Sequence, residues 1–542
     1  MSLTNRIFVI NNINLPPNAS ILEAFSVAKK RIAKILPNTE GISFDIYRKS
    51  VDARRKNDIR IIYSVSVGGV FSDRVTDKLL EEGFAEILDS VPIPVMGDDP
   101  LTAPPVIVGT GPAGLFAALM LAEYGYKPLV LERGGNVSER KDATEKFKKT
   151  RVLDENTNIQ FGAGGAGTFS DGKLITRIGD GFSSFVLKRL VEFGAPKETL
   201  YLAKPHIGTD VLAVVVENIL ARIEALGGCV LYHTTFIEPI YSACGKVNAV
   251  KTTAGDFPAG ALIIATGHSA RDTYLKLLEG GFVLEGKPFS VGMRIEHLTE
   301  DIDRAMYGSF AGHPNLGHAE YALSHNTKVR GVYTFCMCPG GEVVSAASEE
   351  GGVVTNGMSK NARDGRNSNS AVVCSVFKED YGATPLGAID FQRKIEKAAF
   401  LAGGSDYSAP IITVSDFLSG AQKAEPKRIL PTYMDGVGVK IASPEKYLPR
   451  FVTDGIKDAL LAFDKKISGF AVGDAVLSGA ETRTSAPVRI LRDNESRVAL
   501  GFNNVYPAGE GAGYAGGITS AAIDGLRTAM AVMKRFKSKN GG

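Results

Sequence analysis

The sequence predicts an α/β protein in which a Rossmann-type βαβ domain is interrupted by an inserted α+β domain and preceded by a separate α+β unit. Three observations carry that prediction. Strand, glycine turn, helix and strand follow one another in register between Pro105 and Glu132. A Pro-rich segment from Val91 to Pro105 divides this stretch from an N-terminal region of different pattern. Strand, glycine loop and helix then return at Asn504–Met533, after a long region of short strands and Gly and Asn turns. At 542 residues the chain exceeds what one hydrophobic core serves. The expected division is an N-terminal domain at 1–95, a first Rossmann segment at 96–285, a middle substrate domain at 286–470 and a returning Rossmann segment at 471–542.

Composition bounds the function. Hydrophobic residues at 44% and charged residues at 22% argue for a globular chain and against disorder. The 60 glycines exceed the usual share of roughly 7% and mark places where backbone must approach backbone or a ligand. A net charge of +3 gives no reason to expect a polyanionic partner for the whole molecule.

In residues 1–95, Arg6–Ile10 reads as a strand, Ile21–Ile35 as a helix, Ser43–Tyr47 and Asp58–Val67 as strands, and Val75–Leu88 as a helix. Residues 1–60 carry eleven Lys/Arg against five Asp/Glu. The cluster Arg48, Lys49, Arg54, Arg55 and Lys56 reads as a solvated face; contact with nucleic acid is the alternative, without the aromatic interleaving of single-strand binders. The apolar run Ile7–Ile10 stops at Asn11, too short for a signal peptide or a membrane span. Five cysteines, Cys229, Cys244, Cys336, Cys338 and Cys374, are few and odd in number, as a reducing compartment permits. A cytoplasmic location without membrane association is the expectation.

Val106–Val108 suits a buried parallel strand, and Gly109-Thr110-Gly111-Pro112-Ala113-Gly114 then opens a helix. Gly109 permits the tight turn, Gly111 lets a pyrophosphate reach the backbone, and Gly114 allows close packing of helix on strand. Pro112 and Ala113 begin a helix whose unpaired amides face the phosphates. Leu129–Leu131 is the second strand, and Glu132 at its end is placed for the adenosine ribose hydroxyls, with Arg133 beside it. Gly162–Gly167 satisfies the same pattern but has no buried strand before it and no helical pattern after it. Its better reading is a loop pressed against the cofactor, giving Gly164, Gly165, Ala166, Gly167, Ser170, Asp171 and Lys173 as candidates beside an ordinary-loop alternative.

Two further segments favour FAD over NAD. Ala261–Ile264 leads into Ala265-Thr266-Gly267, which resembles the second nucleotide-contacting strand of two-dinucleotide-fold flavoproteins, and Phe236 and Ile237 are suited to place backbone beside the adenine. Near the C-terminus, Val505–Ile518 resembles the element in which an acid, here Glu510 after Gly509, holds the ribityl chain. Amides at Gly516, Gly517 and Ile518 would then stabilise negative charge on the flavin N1/O2 edge.

The strings Lys49–Arg54, Gly164–Leu174, Lys204–Asp210, Gly267–Asp272, Pro288–His297, Cys336–Gly341 and Glu481–Ser485 resemble bacterial FAD-dependent oxidoreductases often labelled NAD(FAD)-utilising dehydrogenases. The resemblance runs nearly end to end. It implies a two-dinucleotide-fold FAD-binding domain with an inserted substrate domain, and an enzyme that handles a small organic substrate at flavin N5. With no second βαβ fingerprint, a nicotinamide, NADH or NADPH, would act as a transient donor in the substrate cleft. His206, His268, Arg271, Arg294, His297, Arg483 and Arg489 fall in or beside these strings; the arginines could clamp an anionic substrate group or brace the pyrophosphate. Cys336 and Cys338 invite a redox reading. Their C-x-C spacing closes a strained ring and lacks a helix N-terminus to lower a thiol pKa, so free thiols lining cleft or core are expected. Seven scattered histidines and the cysteine spacing suggest no metal site. The main alternatives are an RNA-linked flavoprotein and a non-catalytic electron relay.

Overall fold

The computed structural model describes residues 3–87, 91, 93–169, 171–174, 181–243, 245–327, 330–422 and 425–538. Ser170 of the proposed cofactor loop, Cys244, and Pro92 and Leu88 of the predicted linker and helix lie outside the described residues.

The N-terminal unit is β-α-β-β-α-β. Strands Leu3–Leu15, Ser43–Asp52, Arg60–Ser72 and Ala85–Glu86 form one antiparallel sheet in which the first strand lies between the third and fourth. Helix Ile21–Ile32 starts at a reciprocal cap, in which the Glu23 amide donates to Ser20 Oγ and the Ser20 amide to Glu23 Oε1. Ala24, Ala28 and Ile32, four residues apart, form its buried face. The second helix, Asp73–Glu81, is shorter than its apolar pattern suggests because Gly83, at φ +80°, turns the chain out of helical geometry. Phe8, Ile61, Val65 and Val67 join one buried cluster with Leu298, Tyr307 and Leu316 of the inserted domain, so this unit shares a core with its neighbour. Within the basic cluster, Arg54 is paired with Asp52, and the Lys49 backbone exchanges hydrogen bonds with Tyr201 and Ala203.

Five parallel strands form the Rossmann sheet in the order Val505–Pro507, Ala261–Ile264, Pro105–Val108, Leu129–Leu131, Cys229–Leu231. Pro105–Val108 and Ala261–Ile264 are buried on both faces, which their continuous apolar runs require. Helix Pro112–Glu123 is buried along nearly its whole length and packs on helix Ile518–Arg535. One glycine lets this helix sit close on its strand and turn, and another lets the two helices touch. A Cβ on Gly114 would stand 1.9 Å from the Gly109 carbonyl oxygen, and one on Gly525 would stand 2.0 Å from that of Ala113.

The inserted domain is a seven-stranded sheet, in order Ser324–Asn326, Gly331–Cys338, Asn367–Val376, Phe289–Leu298, Val476–Glu481, Ala409–Thr413 and Val439–Ile441, antiparallel except for the last pair. Val476–Glu481 lies beyond residue 470, where the sequence pattern placed the boundary. It belongs to this sheet because every residue of it is buried between Phe289–Leu298 and Ala409–Thr413. Phe289–Leu298 is buried throughout, charged residues included, so each of those must find partners. Among the described residues no helix is long and apolar enough to cross a membrane.

Gly525→Ala is expected to lower stability by roughly 1–3 kcal/mol, the usual cost of overpacking, despite the ~0.5–1 kcal/mol that alanine ordinarily gains over glycine in a helix. Equilibrium urea unfolding measures the difference, and an unchanged or raised midpoint would contradict the packing described.

Candidate cofactor and substrate cleft

One cleft of about 360 Å³ lies at the carboxyl ends of the parallel strands, where open α/β sheets bind ligands. Its Rossmann wall includes Gly109, Gly111, Pro112, Ala113, Glu132, Arg133, Phe236, Ala265, Thr266, Gly267, His268, Gly509, Glu510, Gly516, Gly517 and Ile518. Gly165, Ala166, Gly167, Asp171 and Lys173 close it from the side, and Phe335, Cys336, Asn356, Glu481, Arg483 and Thr484 form the wall supplied by the inserted domain. Gly114, Gly164, Ile237, Arg271, Arg294, His297 and Cys338 stand behind these walls rather than in them.

The Gly109 turn is held by Glu132. One of its carboxylate oxygens accepts from the amides of Gly134 and Gly162, each at 3.0 Å, and the other from the Thr110 amide at 3.1 Å and from the Thr110 hydroxyl. The expectation that Glu132 serves a ribose must therefore accommodate four protein donors already on the carboxylate. The look-alike at Gly162 proves to be what these bonds bring against the first turn: the Gly164 amide reaches Thr110 Oγ1 at 3.3 Å, and a Cβ on Gly165 would come within 2.9 Å of Gly111 Cα. Arg140, fully buried, clamps the same loop by donating to the carbonyls of Asn158, Ile159 and Ala163 at 2.8, 2.6 and 2.7 Å. Burial pulls its guanidinium down to about 9, with Glu132 opposing, so it stays charged at neutral pH. Sequence reasoning missed Thr110 and Arg140, since neither the variable position of a glycine motif nor one arginine of a Lys-rich helix stands out.

The cradle fits a dinucleotide. Added side chains at Gly111, Gly267, Gly516 and Gly517 would meet nothing within 4 Å, so backbone is bared toward the cleft there. Two helices, beginning at Pro112 and Ile518, end in its wall, and their first amides suit anionic oxygens. Asp524, also missed, accepts from the Gly509 amide at 2.7 Å and is neutralised by Arg492 and Arg497, fixing the loop that carries Glu510. Burial pushes the Glu510 carboxyl up to about 7, opposed by Lys287.

The inserted wall is a lattice of buried ion pairs. Glu396 accepts from Nη2 of Arg271 at 2.7 Å, from Nε and Nη2 of Arg483 at 3.2 and 3.0 Å, and from the Thr482 hydroxyl at 2.7 Å. Arg271 is consumed in this lattice, bonding Glu349 and Gln392 as well. Only Arg483 of the two reaches the cleft. Arg294 is likewise a brace, paired side-on with Glu481 at 2.9 and 3.1 Å and donating to Asn369, Asn356 and the Cys336 carbonyl. His297 lies outside the cleft wall, with Nε2 2.7 Å from the Phe470 carbonyl, and burial pulls it down to about 4. His206 contacts the Asn361 carbonyl, and Arg489 lies over Tyr514, both outside the cleft wall.

His268 differs from these. Its Nδ1 is 2.9 Å from Ser269 Oγ, whose single hydrogen goes to Gln160 Oε1 at 3.0 Å. With the Ser269 hydroxyl donating to Gln160, Nδ1 carries the ring proton and Nε2 is the ring's acceptor. Burial, with Arg483 and Arg271 nearby, pulls its pKa down to about 3, so it stays neutral.

A Rossmann sheet with a glycine cradle at its carboxyl edge and a polar second wall defines a dinucleotide-dependent oxidoreductase. Residues 102–153 match the family described as FAD binding domain, and residues 288–484 match FAD-dependent protein, C-terminal domain-like. An uncharacterized protein of Clostridium beijerinckii is 45% identical over 536 residues, covering 97% of this chain and 98% of that one. The chain belongs to this family of FAD-dependent proteins; it binds FAD and is an FAD-dependent oxidoreductase. Similar solved structures include NikD, an amino acid oxidase essential for nikkomycin biosynthesis (13% identity, 79% of this chain and 94% of that one, TM-score 0.33). Glycine oxidase from Geobacillus kaustophilus is another (10%, 80% and 93%, TM-score 0.33), as is CtdE in complex with FAD (13%, 79% and 84%, TM-score 0.31).

Two outcomes test this geometry. Glu132→Ala strips the acceptor from three buried amides, each a loss of about 1–3 kcal/mol, and is expected to weaken FAD binding at least about tenfold, read by equilibrium dialysis; full retention would show the carboxylate dispensable. Glu510 has its folded-state pKa above its ordinary 4.5, so the folded chain holds the extra proton and its stability falls as pH rises from about 4.5 to about 7. Glu510→Gln should therefore stabilise the FAD-free chain against urea at pH ~8 and much less at pH ~5; equal effects at both would refute it.

Proposed function

We propose that this protein is a dehydrogenase that exchanges two electrons between a small organic substrate and FAD within this cleft, with NAD(P)H as a transient electron donor. The observation that carries the reading is the continuity of that cleft, from the glycine cradle of Gly109 to the polar wall of the inserted domain. Bound there, FAD would supply two-electron chemistry at ring atom N5.

The chain's own residues would orient and desolvate the reacting partner. Arg483, held from behind by Glu396, presents a fixed positive charge, and Glu396 is itself pulled far down by Arg271 and Arg483 so that it remains a carboxylate. His268 Nε2 offers a neutral acceptor for a substrate proton, and Lys173 a second cation. The N-terminus of helix Ile518–Arg535 suits negative charge developing at the far edge of the ring. Among the described residues the parallel sheet carries one glycine turn of this kind, so a nicotinamide would share the substrate cleft. The free cysteines suit a reducing, cytoplasmic compartment.

Anaerobic mixing of the FAD-loaded protein with NADH or NADPH is expected to bleach the oxidised-flavin absorbance within the mixing experiment. Absence of bleaching by either would remove the nicotinamide from the reaction, and a purified chain that cannot be loaded with FAD would overturn the whole assignment.

A further inference from the structure

Cys336 and Cys338 sit on the strand Gly331–Cys338, which pairs with Asn367–Val376. The pairing slips between Phe335 and Cys338: three steps on one strand answer two on the other, from Ala371 to Asn369, so one extra residue is inserted. Cys336 adopts φ +46°, left-handed backbone that a non-glycine residue rarely takes. Such bulges turn side chains toward active sites, and strained backbone collects there. The result puts Cys336 in the cleft wall, with fully buried Cys338 behind it.

Two cations lie beside the pair, with the Asp171 carboxylate opposing them. Arg294 Nη1 lies 3.1 Å from the Cys336 carbonyl oxygen and 4.0 Å from Cys338 Sγ, and Lys173 Nζ donates to the intervening Met337 carbonyl. The helix N-terminus that the sequence lacks is replaced by these two side chains. A hydrogen bond from Cys338, then Arg294 and Lys173, lowers the Cys336 thiol, while the same bond and burial raise Cys338. Burial pushes Cys374 up to about 11, with Arg330 opposing. Residues i and i+2 of a strand share a face and stand about 6.6 Å apart at full extension. A disulfide tolerates roughly 4.4–6.8 Å between Cα atoms, a range that includes this span.

We propose that Cys336 and Cys338 form a dithiol–disulfide pair that carries electrons between FAD and a small organic disulfide entering the cleft; this rests on the reading that FAD lies in that cleft. The Cys336 thiolate attacks one sulfur of the substrate disulfide, whose S–S bond breaks and releases the first thiolate. Cys338 gives up its proton to that leaving group and attacks Cys336 Sγ, expelling the second substrate thiolate and closing the Cys336–Cys338 bond. Reduced FAD, replenished by the nicotinamide donor, then returns two electrons and one proton. Cys336 is restored as thiolate and Cys338 as thiol, and the charge balances. The strain of the short C-x-C ring favours this last step, since strained disulfides are the more readily reduced ones.

The FAD-loaded protein is treated anaerobically with 2-hydroxyethyl disulfide, freed of excess reagent, and titrated with dithionite. Wild type is expected to take up two more reducing equivalents per FAD than Cys336→Ser, and peptide mass spectrometry to find an internal Cys336–Cys338 bond. Cys338→Ser should retain half of the reagent as a mixed disulfide on Cys336, and Cys336→Ser should retain none there. Equal reducing equivalents in wild type and Cys336→Ser, with normal flavin reduction, would overturn the pair while leaving the FAD assignment intact. A wild type that holds no FAD would overturn both. The wild-type electron count and peptide map need no variant, so a variant that fails to fold leaves the decision unaffected.

Discussion

The buried carboxylate of Glu132 is the interaction on which the cofactor side of this protein depends. Its two oxygens accept from the amides of Thr110, Gly134 and Gly162 and from the Thr110 hydroxyl, so three separate stretches of chain are tied at one point. An ionised carboxylate is purely an acceptor with about four lone-pair sites, and three backbone amides and one hydroxyl fill them. The first glycine turn, the end of the second strand and the loop that only looks like a glycine motif are thereby fixed relative to one another. Arg140 completes the arrangement from the opposite side by satisfying three carbonyls of the same loop. A pocket built of amides needs such anchoring, because backbone dipoles stabilise an anion only where they are held in place beforehand.

The opposite wall follows a different rule. Arg294 with Glu481, and Arg271 and Arg483 with Glu396, are buried ion pairs inside or beside the inserted sheet. Such pairs contribute little net stability once desolvation is counted, though removing one partner is costly. Their consequence here is positional. Of the charged side chains in these pairs, Arg483 and Glu481 reach the cleft while Arg271, Arg294 and Glu396 hold them from behind. The surface that faces the cleft is therefore preorganised by residues that do not line it.

The two walls meet because the chain leaves the Rossmann sheet after Ala261–Ile264, builds the inserted sheet, and returns through Glu481–Thr484 to Val505–Pro507. The N-terminal unit does not line the cleft. Its apolar face is continuous with the inserted domain's core, and Lys49 ties its second strand to Tyr201–Ala203, so it buttresses the wall from outside.

What the sequence by itself determined is whatever depends on neighbours in the chain. Gly109, Gly111 and Gly114 at fixed spacing between two apolar strands specify the turn, the open approach and the helix contact, and the structure places them so. The Gly509–Ile518 loop is legible for the same reason, since bare backbone before a helix has few uses. Tertiary structure alone decided which charged and sulfur-bearing residues act at the cleft and which brace it. His268 and His297, Arg483 and Arg271, Cys336 and Cys338 are alike in local pattern, yet one of each pair faces the cleft and the other is buried outside its wall. Their partners lie tens to hundreds of residues away, as with Arg294 and Glu481 or Arg271 and Glu396, and a side chain's charge and reactivity are set by those distant neighbours. Thr110, Arg140 and Asp524 escaped notice for that physical reason: each works through bonds to segments that only folding brings near.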